Sequence, residues 1–186
     1  MTDFIQALDW SILHGIHNKL QCAFLDFLMP KITLLGDGGA VWLLSASGLI
    51  LSKKYRKYGF VMLGALAVGV LIGNLWLKPF IARSRPCWLE DAALLIKNPS
   101  DYSFPSGHTL SSVIGAFVLT AANRRFGYFA IPTAALIAFS RLYLYVHFPS
   151  DVLASVILGV CTGAAAAGLC KRLEKGMRAK DAKNPA

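Results

Sequence analysis

The chain has 186 residues, of which 55% are hydrophobic and 16% are charged. Soluble domains carry about 25% charged residues, so this deficit indicates that lipid solvates much of the surface. A formal net charge of +9 would suit nucleic acid, but the cations cluster between apolar stretches, and aromatic residues do not alternate with them as on a base-stacking surface. We therefore predict one membrane-embedded domain over residues 1–186, surrounded by membrane lipids and with no nucleic-acid partner.

Residues 4–20 are predicted to form an amphipathic helix that lies in the membrane interface. Their apolar side chains recur at helical spacing, while Asp9, His14 and His17 interrupt any continuous apolar run. Such a pattern is typical of a helix that lies on a bilayer rather than crossing it. The N-terminus lacks a basic segment followed by an apolar block, so we expect no cleavable signal peptide.

Six later stretches are candidates for membrane spans, because a bilayer core about 30 Å thick requires about 20 apolar residues. Three have that length: residues 59–77, 128–146 and 150–170. Three are shorter: residues 107–122, 22–35 and 39–52. The sequence therefore predicts an all-α fold, an integral membrane six-helix bundle preceded by the interfacial helix.

Basic residues follow every second predicted span. They are Lys53, Lys54, Arg56 and Lys57, then Arg124 and Arg125, and then a tail at about 171–186 that contains Lys171, Arg172, Lys175, Arg178, Lys180 and Lys183. Because short cytoplasmic loops carry an excess of Lys and Arg, this pattern predicts that both termini are cytoplasmic. We expect a multi-pass protein of the cell (plasma or inner) membrane, with the other loops on the outer face.

Three polar segments are predicted to meet on that outer face. They are Lys78 to Pro86, Pro105 to His108, and Ser140 to Asp151. Alternating spans bring all three to the same side of the membrane, and antiparallel packing of the helices would gather them into one pocket.

This pocket is predicted to bind a phosphate group. Lys78, Arg85 and Arg141 supply three cations, and arginine adds forked donors that match phosphate oxygens. Ser106 and Gly107 precede a predicted helix, where free backbone amides and the helix dipole favour an anion. Gly107 also allows close approach of the backbone, since it has no Cβ.

The histidines are predicted to supply the reaction. Pro149 can begin a helix, and Asp151 in that first turn is then near enough to orient a ring nitrogen of His147. An imidazole held by a carboxylate can act as a nucleophile toward phosphorus. His108, when protonated, can give a proton to the departing lipid oxygen and can then act as the base for the water that hydrolyses the phosphohistidine.

The three segments match the patterns Lys-x6-Arg-Pro, Pro-Ser-Gly-His and Ser-Arg-x5-His-x3-Asp over residues 78–151. In this order they resemble the three signature motifs of the type 2 phosphatidic acid phosphatase superfamily. The resemblance implies a six-helix transmembrane phosphatase that works without a metal or cofactor, with its site on the non-cytoplasmic side. It also implies residue roles: His147 as nucleophile, Asp151 as its partner, His108 as general acid, and Lys78, Arg85, Ser106, Gly107 and Arg141 in phosphate binding.

Two other classes of protein stay open at this point. His108 and His147 could be ligands in a membrane metal or redox protein, although the nearby cations would repel a metal and only Asp151 adds a carboxylate. A lipid-phosphate transporter or binding protein without turnover is the second alternative, and inverted repeats or broken helices would be its expected signs. No obligate protein partner is evident.

The expected substrate is a small charged headgroup on a long apolar tail, because only 18 residues separate Pro86 from Pro105. Contact of Arg83 with a second phosphate would favour a diphosphate. In size and layout the chain is similar to small bacterial members of the superfamily that hydrolyse undecaprenyl diphosphate, which makes this lipid the first expectation. Phosphatidylglycerophosphate and phosphatidic acid are the alternative substrates.

Overall fold

The computed structural model describes residues 2–183, and within them the chain is all-helical, as predicted. The helices are, in chain order, α1 (Thr2–Leu20), α2 (Ala23–Leu34), α3 (Ala40–Leu51), α4 (Arg56–Gly69), α5 (Lys78–Ile81), α6 (Pro86–Leu89), α7 (Gly107–Ala122), α8 (Arg124–Tyr143) and α9 (Pro149–Lys183). A 3-10 turn (Asp37–Gly39) joins α2 to α3, and a π-helical segment (Val70–Leu77) connects α4 to α5.

The predicted basic tail extends beyond the described part of the chain. Residues 184–186 and the side chains of Arg178, Lys180 and Lys183 lie outside it. Lys171, Arg172 and Lys175 are described and are exposed.

Within the described residues, three segments are long and apolar enough to cross a membrane: Arg56–Leu89, Arg124–Tyr143 and Pro149–Arg172. The helices Ala23–Leu34 and Asp37–Leu51 reach this length only as a pair, which is bent by 46°. These helices indicate a multi-pass membrane protein, but the six-span count is not confirmed. α2 and α3 have 12 residues each, which is about 18 Å of helix, too little to cross a core of about 30 Å alone.

α7 is the centre of the bundle and packs against α3, α4, α8 and α9. Its Leu110 and Ile114 are buried together with Ile137 of α8. Trp42 of α3 donates from its indole nitrogen to Ser112 Oγ at 3.0 Å, so this buried polar group has a partner. Because neighbours hold α7 on several sides, its first turn is a fixed platform for a site.

Local signals set the ends of the helices near that platform. The predicted starts at Gly107 and Pro149 are confirmed, and the side chain of Ser106 caps α7. α8 ends at Tyr143, earlier than the predicted residue 146, so residues 144–148 form a loop. α5 ends at Ile81, and the next residue, Ala82, has a φ of 50° that turns the chain away from the helix axis.

α1 packs on the end of the bundle where this loop lies. Its buried Leu13 clusters with Tyr145 and Phe148, and its His14 Nε2 lies 2.9 Å from a carboxylate oxygen of Glu90. The opposite face of α1 exposes large apolar side chains: Phe4, Ile5, Leu8 and Ile12. α1 therefore neighbours the loop that carries His147.

Candidate active site

A cavity of about 910 Å³ opens at the end of the bundle where α5, α7 and α8 meet the loops. Six of the eight predicted site residues line it: Lys78, Arg85, Gly107, His108, Arg141 and His147. The other two, Ser106 and Asp151, lie behind this lining and are fully buried. The structure thus brings the three predicted segments together, as their spacing indicated.

His147 lies in the loop between α8 and α9 and is almost fully buried. Its Nε2 is 3.1 Å from Nη1 of Arg85. Because a guanidinium can only donate, Nε2 accepts this hydrogen bond and the ring proton is assigned to Nδ1. Nδ1 faces Ser103 Oγ at 3.4 Å and Asp151 Oδ2 at 3.7 Å.

The imidazole of His147 is kept neutral by its surroundings. Burial, together with the charges of Arg85 and Arg141, outweighs the opposing effect of Asp151 and lowers the pKa of His147 to about 3. At neutral pH the Nε2 lone pair is therefore not protonated, which is the state that a nucleophilic imidazole requires.

Asp151 lies in the first turn of α9 with both carboxylate oxygens bonded. Oδ2 accepts from Ser103 Oγ at 2.5 Å and from the backbone amide of Phe148 at 2.8 Å. Oδ1 accepts from Arg83 Nη1 at 2.6 Å. The 3.7 Å from Oδ2 to His147 Nδ1 is an ion-pair distance, longer than a hydrogen bond. Asp151 therefore faces His147 and shares Ser103 with it.

Asp101 bridges two of the predicted phosphate-binding cations. One carboxylate oxygen pairs with Lys78, and the other accepts from Arg85 Nη2 at 2.7 Å. Partial burial works against ionisation, but the hydrogen bond from Lys78 and the charges of Lys78 and Arg85 outweigh it and lower the pKa of Asp101 to about 2. The Asp101 carboxylate, about half exposed, therefore stands where an anionic oxygen of a substrate would be attracted.

Arg141 keeps a free donor. Its Nη1 donates to Thr33 Oγ1 of α2 at 2.5 Å. Among the described residues, its buried Nε has no hydrogen-bond partner. Since a buried N–H without a partner is costly, an anion in the cavity would satisfy it.

His108 is paired with an acid that the motifs do not contain. Its Nε2 lies 2.7 Å from Oδ1 of Asp37, in the 3-10 turn between α2 and α3. The close packing depends on Gly36, because a Cβ there would lie 2.7 Å from His108 Cδ2 and 2.9 Å from Ile137 Cγ2. The break between α2 and α3 thus places the Asp37 carboxylate beside His108, the predicted general acid.

The two residues at the start of α7 differ in their roles. The hydroxyl of Ser106 is buried and accepts from the amide and the hydroxyl of Thr109, so it caps the helix. Phosphate binding by Ser106 stays a prediction. Gly107 does line the cavity. A Cβ at Gly107 would lie 2.9 Å from Asn74 Oδ1 of the π-helical segment, so glycine is required for this close approach.

Arg83 does not line the cavity, so its position gives no support to a contact with a second phosphate. Its guanidinium donates to Gln6 and Asp9 of α1 and to Ser150 and Asp151 at the start of α9. It also lies over the ring of Phe148, with Cζ 4.2 Å from the centroid. The Arg83 guanidinium is therefore occupied by contacts with other groups of the protein.

Sequence reasoning missed four acids and hydroxyls of the site: Asp9, Asp37, Asp101 and Ser103. Asp101 and Ser103 directly precede the Pro-Ser-Gly-His segment, and Asp37 lies in a Gly-Asp-Gly-Gly turn, so both places carried a weak signal. Asp9 interrupts an apolar stripe, which is a signal for burial with a partner but not for which partner.

The alternative of a metal site lacks a set of donors. In the part of the chain that the structure describes, His, Cys, Asp and Glu side chains form no group of three or more that could hold a metal ion. His108 and His147 instead face separate carboxylates, Asp37 and Asp151.

Comparisons with known proteins agree with this geometry. Residues 55–173 match the model of the PAP2 superfamily. The chain is 32% identical over 149 residues to an undecaprenyl-diphosphatase of Sulfolobus acidocaldarius, covering 79% of this chain and 71% of that protein. It is 30% identical over 157 residues to the undecaprenyl-diphosphatase BcrC of Bacillus subtilis, covering 81% and 77%.

A solved structure shares the fold. The crystal structure of a transmembrane PAP2-type phosphatidylglycerolphosphate phosphatase from Bacillus subtilis superposes with a TM-score of 0.75 at 27% identity, covering 90% of this chain and 87% of that one. Together with the matched family model and the two sequence relatives, this shows that the chain belongs to the PAP2 superfamily of lipid phosphatases.

Proposed function

We propose that this chain hydrolyses the terminal phosphate of a lipid diphosphate, with undecaprenyl diphosphate as the first substrate, through a phosphohistidine on His147. The observation that carries the proposal is the state of His147. Its unprotonated Nε2 lies in a cavity with Lys78, Arg85 and Arg141, where a phosphate would be held against it.

In the first step, Nε2 of His147 attacks phosphorus while the bond from phosphorus to the bridging oxygen breaks. His108, the proposed general acid, gives a proton to that oxygen, which leaves as the lipid monophosphate. The cationic phosphoimidazole keeps its proton on Nδ1, which faces the Asp151 carboxylate. This attraction favours the intermediate.

In the second step, water attacks the phosphohistidine. His108 takes a proton from the water, the bond from Nε2 to phosphorus breaks, and inorganic phosphate is released. We assign Asp37 a positioning role in both steps, because its hydrogen bond to Nε2 of His108 fixes the orientation of the ring.

The phosphate group is proposed to bind Lys78, Arg85, Arg141 and the backbone of Gly107. The free Nε of Arg141 supports this assignment, as does the position of Gly107 at the N-terminus of α7. Lys78 and Arg85 are paired with Asp101. We therefore expect the half-exposed Asp101 side chain to move away from them when the substrate phosphate binds.

The lipid tail is proposed to leave the cavity between α3 and α4. Beyond the polar groups, the same cavity is lined by apolar side chains of these helices: Leu43, Leu63, Leu66 and Ala67. An isoprenyl or acyl chain there would stay in apolar surroundings, between these side chains and the bilayer core.

The choice of a diphosphate rests on the two relatives named undecaprenyl-diphosphatases. Arg83 lies outside the cavity lining and therefore does not favour a diphosphate. Phosphatidylglycerophosphate, the substrate named for the structural neighbour, is the leading alternative, and phosphatidic acid follows. A comparison of kcat/KM for the three lipids in one detergent decides among them.

We also propose a topology that differs from the expected pair of cytoplasmic termini. α1 and α2 contact residues 141–150: Asp9 with Ser150, Met29 with Val146, and Thr33 with Arg141. These contacts favour α1 and α2 at the outer interface, on the face that carries the site. The membrane would then be crossed by five elements: α3, α4 with its π-helical segment, α7, α8 and α9, with the bilayer locally thinned around the short helix α3.

In this arrangement the N-terminus lies outside the cell membrane and the basic loops and C-terminus lie in the cytoplasm. Asn123 donates to Tyr55 at 3.0 Å, so the two basic loops share one end of the bundle. Because α1, α2 and the 3-10 turn contribute Asp9, Thr33 and Asp37 to the site, we propose that residues 1–186 form a single domain.

The test is phosphate release from a panel of lipid phosphates by the purified protein, with and without a chelator. We expect release that continues in the chelator and is lost in His147→Ala. A broken helix was the expected sign of a transporter, and the bend between α2 and α3 fits that sign. A transporter without turnover predicts no phosphate release. A metal enzyme would stop when the chelator is added.

A further inference from the structure

Asp9 is a buried carboxylate on α1, on the side of the helix that also buries Leu13. It is 3% exposed, and a carboxylate in that position is costly unless it is paired. Its Oδ1 accepts from the amide of Ser150 at 2.8 Å, and its Oδ2 accepts from Ser150 Oγ at 2.5 Å and from Arg83 Nη2 at 2.7 Å. These bonds connect Asp9 to the start of α9, directly through Ser150 and indirectly through Arg83.

Arg83 connects Asp9 to the site. Its Nη1 donates to Asp151 Oδ1 at 2.6 Å, and its Nη2 donates to Asp9. The guanidinium is planar, so two carboxylates bound to its two ends are fixed relative to each other. The ring of Phe148, which follows His147, lies under the same plane.

The negative and positive charges of Asp9, Asp151 and Arg83 do not cancel. Two carboxylates, Asp9 and Asp151, share one guanidinium, which leaves a net charge of about −1 beside the imidazole of His147. Without Asp9, Arg83 would neutralise Asp151 alone. The cationic phosphoimidazole would then face a weaker field, and one end of Arg83 would be free to move.

We propose that Asp9 and Arg83 are positioning residues of the reaction. α1 is part of the catalytic machinery, because Asp9 holds Arg83, Arg83 holds Asp151, and Asp151 stabilises the charge that develops on His147. This inference rests on the proposed roles of His147 and Asp151. Neither Asp9 nor Arg83 touches the substrate, since neither lines the cavity.

The principal variant is Asp9→Asn, which keeps the shape of the side chain and removes its charge. We expect kcat to fall by about 10-fold or more, as for other groups that orient a reacting side chain. KM and the inhibition constant of inorganic phosphate are expected to stay within about 2-fold. Inhibition by vanadate, which mimics the pentacoordinate state on His147, is expected to weaken along with kcat.

Two controls separate this role from the docking of α1. Asp3→Asn removes an exposed carboxylate from the same helix. Glu90→Gln weakens a polar attachment of α1 that does not involve Arg83: Glu90 pairs with His14 of α1 and accepts from Tyr145 of the loop before α9. Both variants are expected to keep kcat, and all three are expected to elute as folded protein with similar Tm. A loss in Glu90→Gln equal to that in Asp9→Asn would show that α1 acts only by docking and would overturn the inference.

A double variant keeps the inference testable if Asp9→Asn loses stability. Asp9→Asn combined with Arg83→Gln is expected to be no slower than Arg83→Gln alone, because both act through one set of bonds. Additive losses, or wild-type kcat in Asp9→Asn, contradict the positioning role. His147→Ala is assayed in parallel: if it keeps full activity, the proposed function itself fails, whatever the result for Asp9.

Discussion

Arg83, Arg85 and Arg141 carry the same guanidinium group, but their hydrogen-bond partners give each of them a different role. Arg83 has its donors bonded to Gln6, Asp9 and groups of α9. Arg85 donates to the backbone of Asp101 and Val146 as well as to the imidazole. Only Arg141 of the three combines a cavity position with a buried donor that lacks a partner among the described residues. We therefore expect Arg141 to give the most direct phosphate contact.

Arg141→Lys is expected to impair the enzyme although the charge is kept. Lysine offers no Nε to the cavity and no fork to bridge Thr33 and a phosphate oxygen. We expect kcat/KM to fall by about 10-fold, the equivalent of about 1.4 kcal/mol, and the inhibition constant of phosphate to rise. Wild-type values for both in Arg141→Lys would contradict this contact.

Asp101→Asn is expected to tighten the binding of simple anions. The carboxylate competes with phosphate for Lys78 and Arg85, and the amide would compete less. The inhibition constant of inorganic phosphate is expected to fall by about 3- to 10-fold. Because the pKa of Asp101 is about 2, the group is charged at every working pH. The difference between the two proteins is therefore expected to stay constant from about pH 5 to about pH 8, and weaker binding by the variant would contradict the role.

The sequence shows which residues are the reactive groups, but it does not show how their side chains are oriented. His108, His147, Asp151 and the cavity cations are recognisable because their types and spacings suit phosphoryl transfer. The positions of Ser106 and Arg83 outside the cavity lining were not predictable, because which donors face a cavity depends on packing between distant segments. Asp9 and Asp37 were missed for the same reason: their partners Arg83 and His108 lie 74 and 71 residues away in the chain.

Among the elements, the break between α2 and α3 has the largest effect on the site. It sets Asp37 against His108 and Thr33 against Arg141. Length and hydropathy predicted two spans here, because both helices are apolar. The counts of apolar residues do not distinguish a helix that lies along the interface from one that crosses. The capped start of α7 and the proline at the start of α9 were local signals, and both starts were predicted correctly.

Gly36→Ala tests whether this break positions the general acid. The added methyl group would meet His108 Cδ2 at 2.7 Å and Ile137 Cγ2 at 2.9 Å, so the imidazole must shift. We expect kcat to fall by about 10-fold or more, since small misplacements of a reacting group are costly. Gly48→Ala is the matched control, because nothing lies within 4 Å of its added Cβ, and it is expected to keep wild-type kcat. Equal kcat in the two variants would contradict the role of the break.

The whole molecule is proposed to have its N-terminus and C-terminus on opposite sides of the membrane. Cys22, between α1 and α2, is exposed and gives a native reporter. With the other cysteines replaced, an impermeant maleimide added outside intact cells is expected to label Cys22. A cysteine at Lys54 in the basic loop is expected to react only after the membrane is opened. Labelling of Lys54→Cys from outside, or protection of Cys22, would contradict the five-crossing topology.

The covalent intermediate on His147 is the most direct test of the account. His108→Ala lacks the base for the second step, so a substrate with a good leaving group is expected to leave the phosphoryl group on the protein. After quenching in alkali, peptide mass spectrometry is expected to find acid-labile phosphate on His147, and none in His108→Ala/His147→Ala. Phosphate release at the wild-type rate by His147→Ala, or label on another residue, would contradict the account.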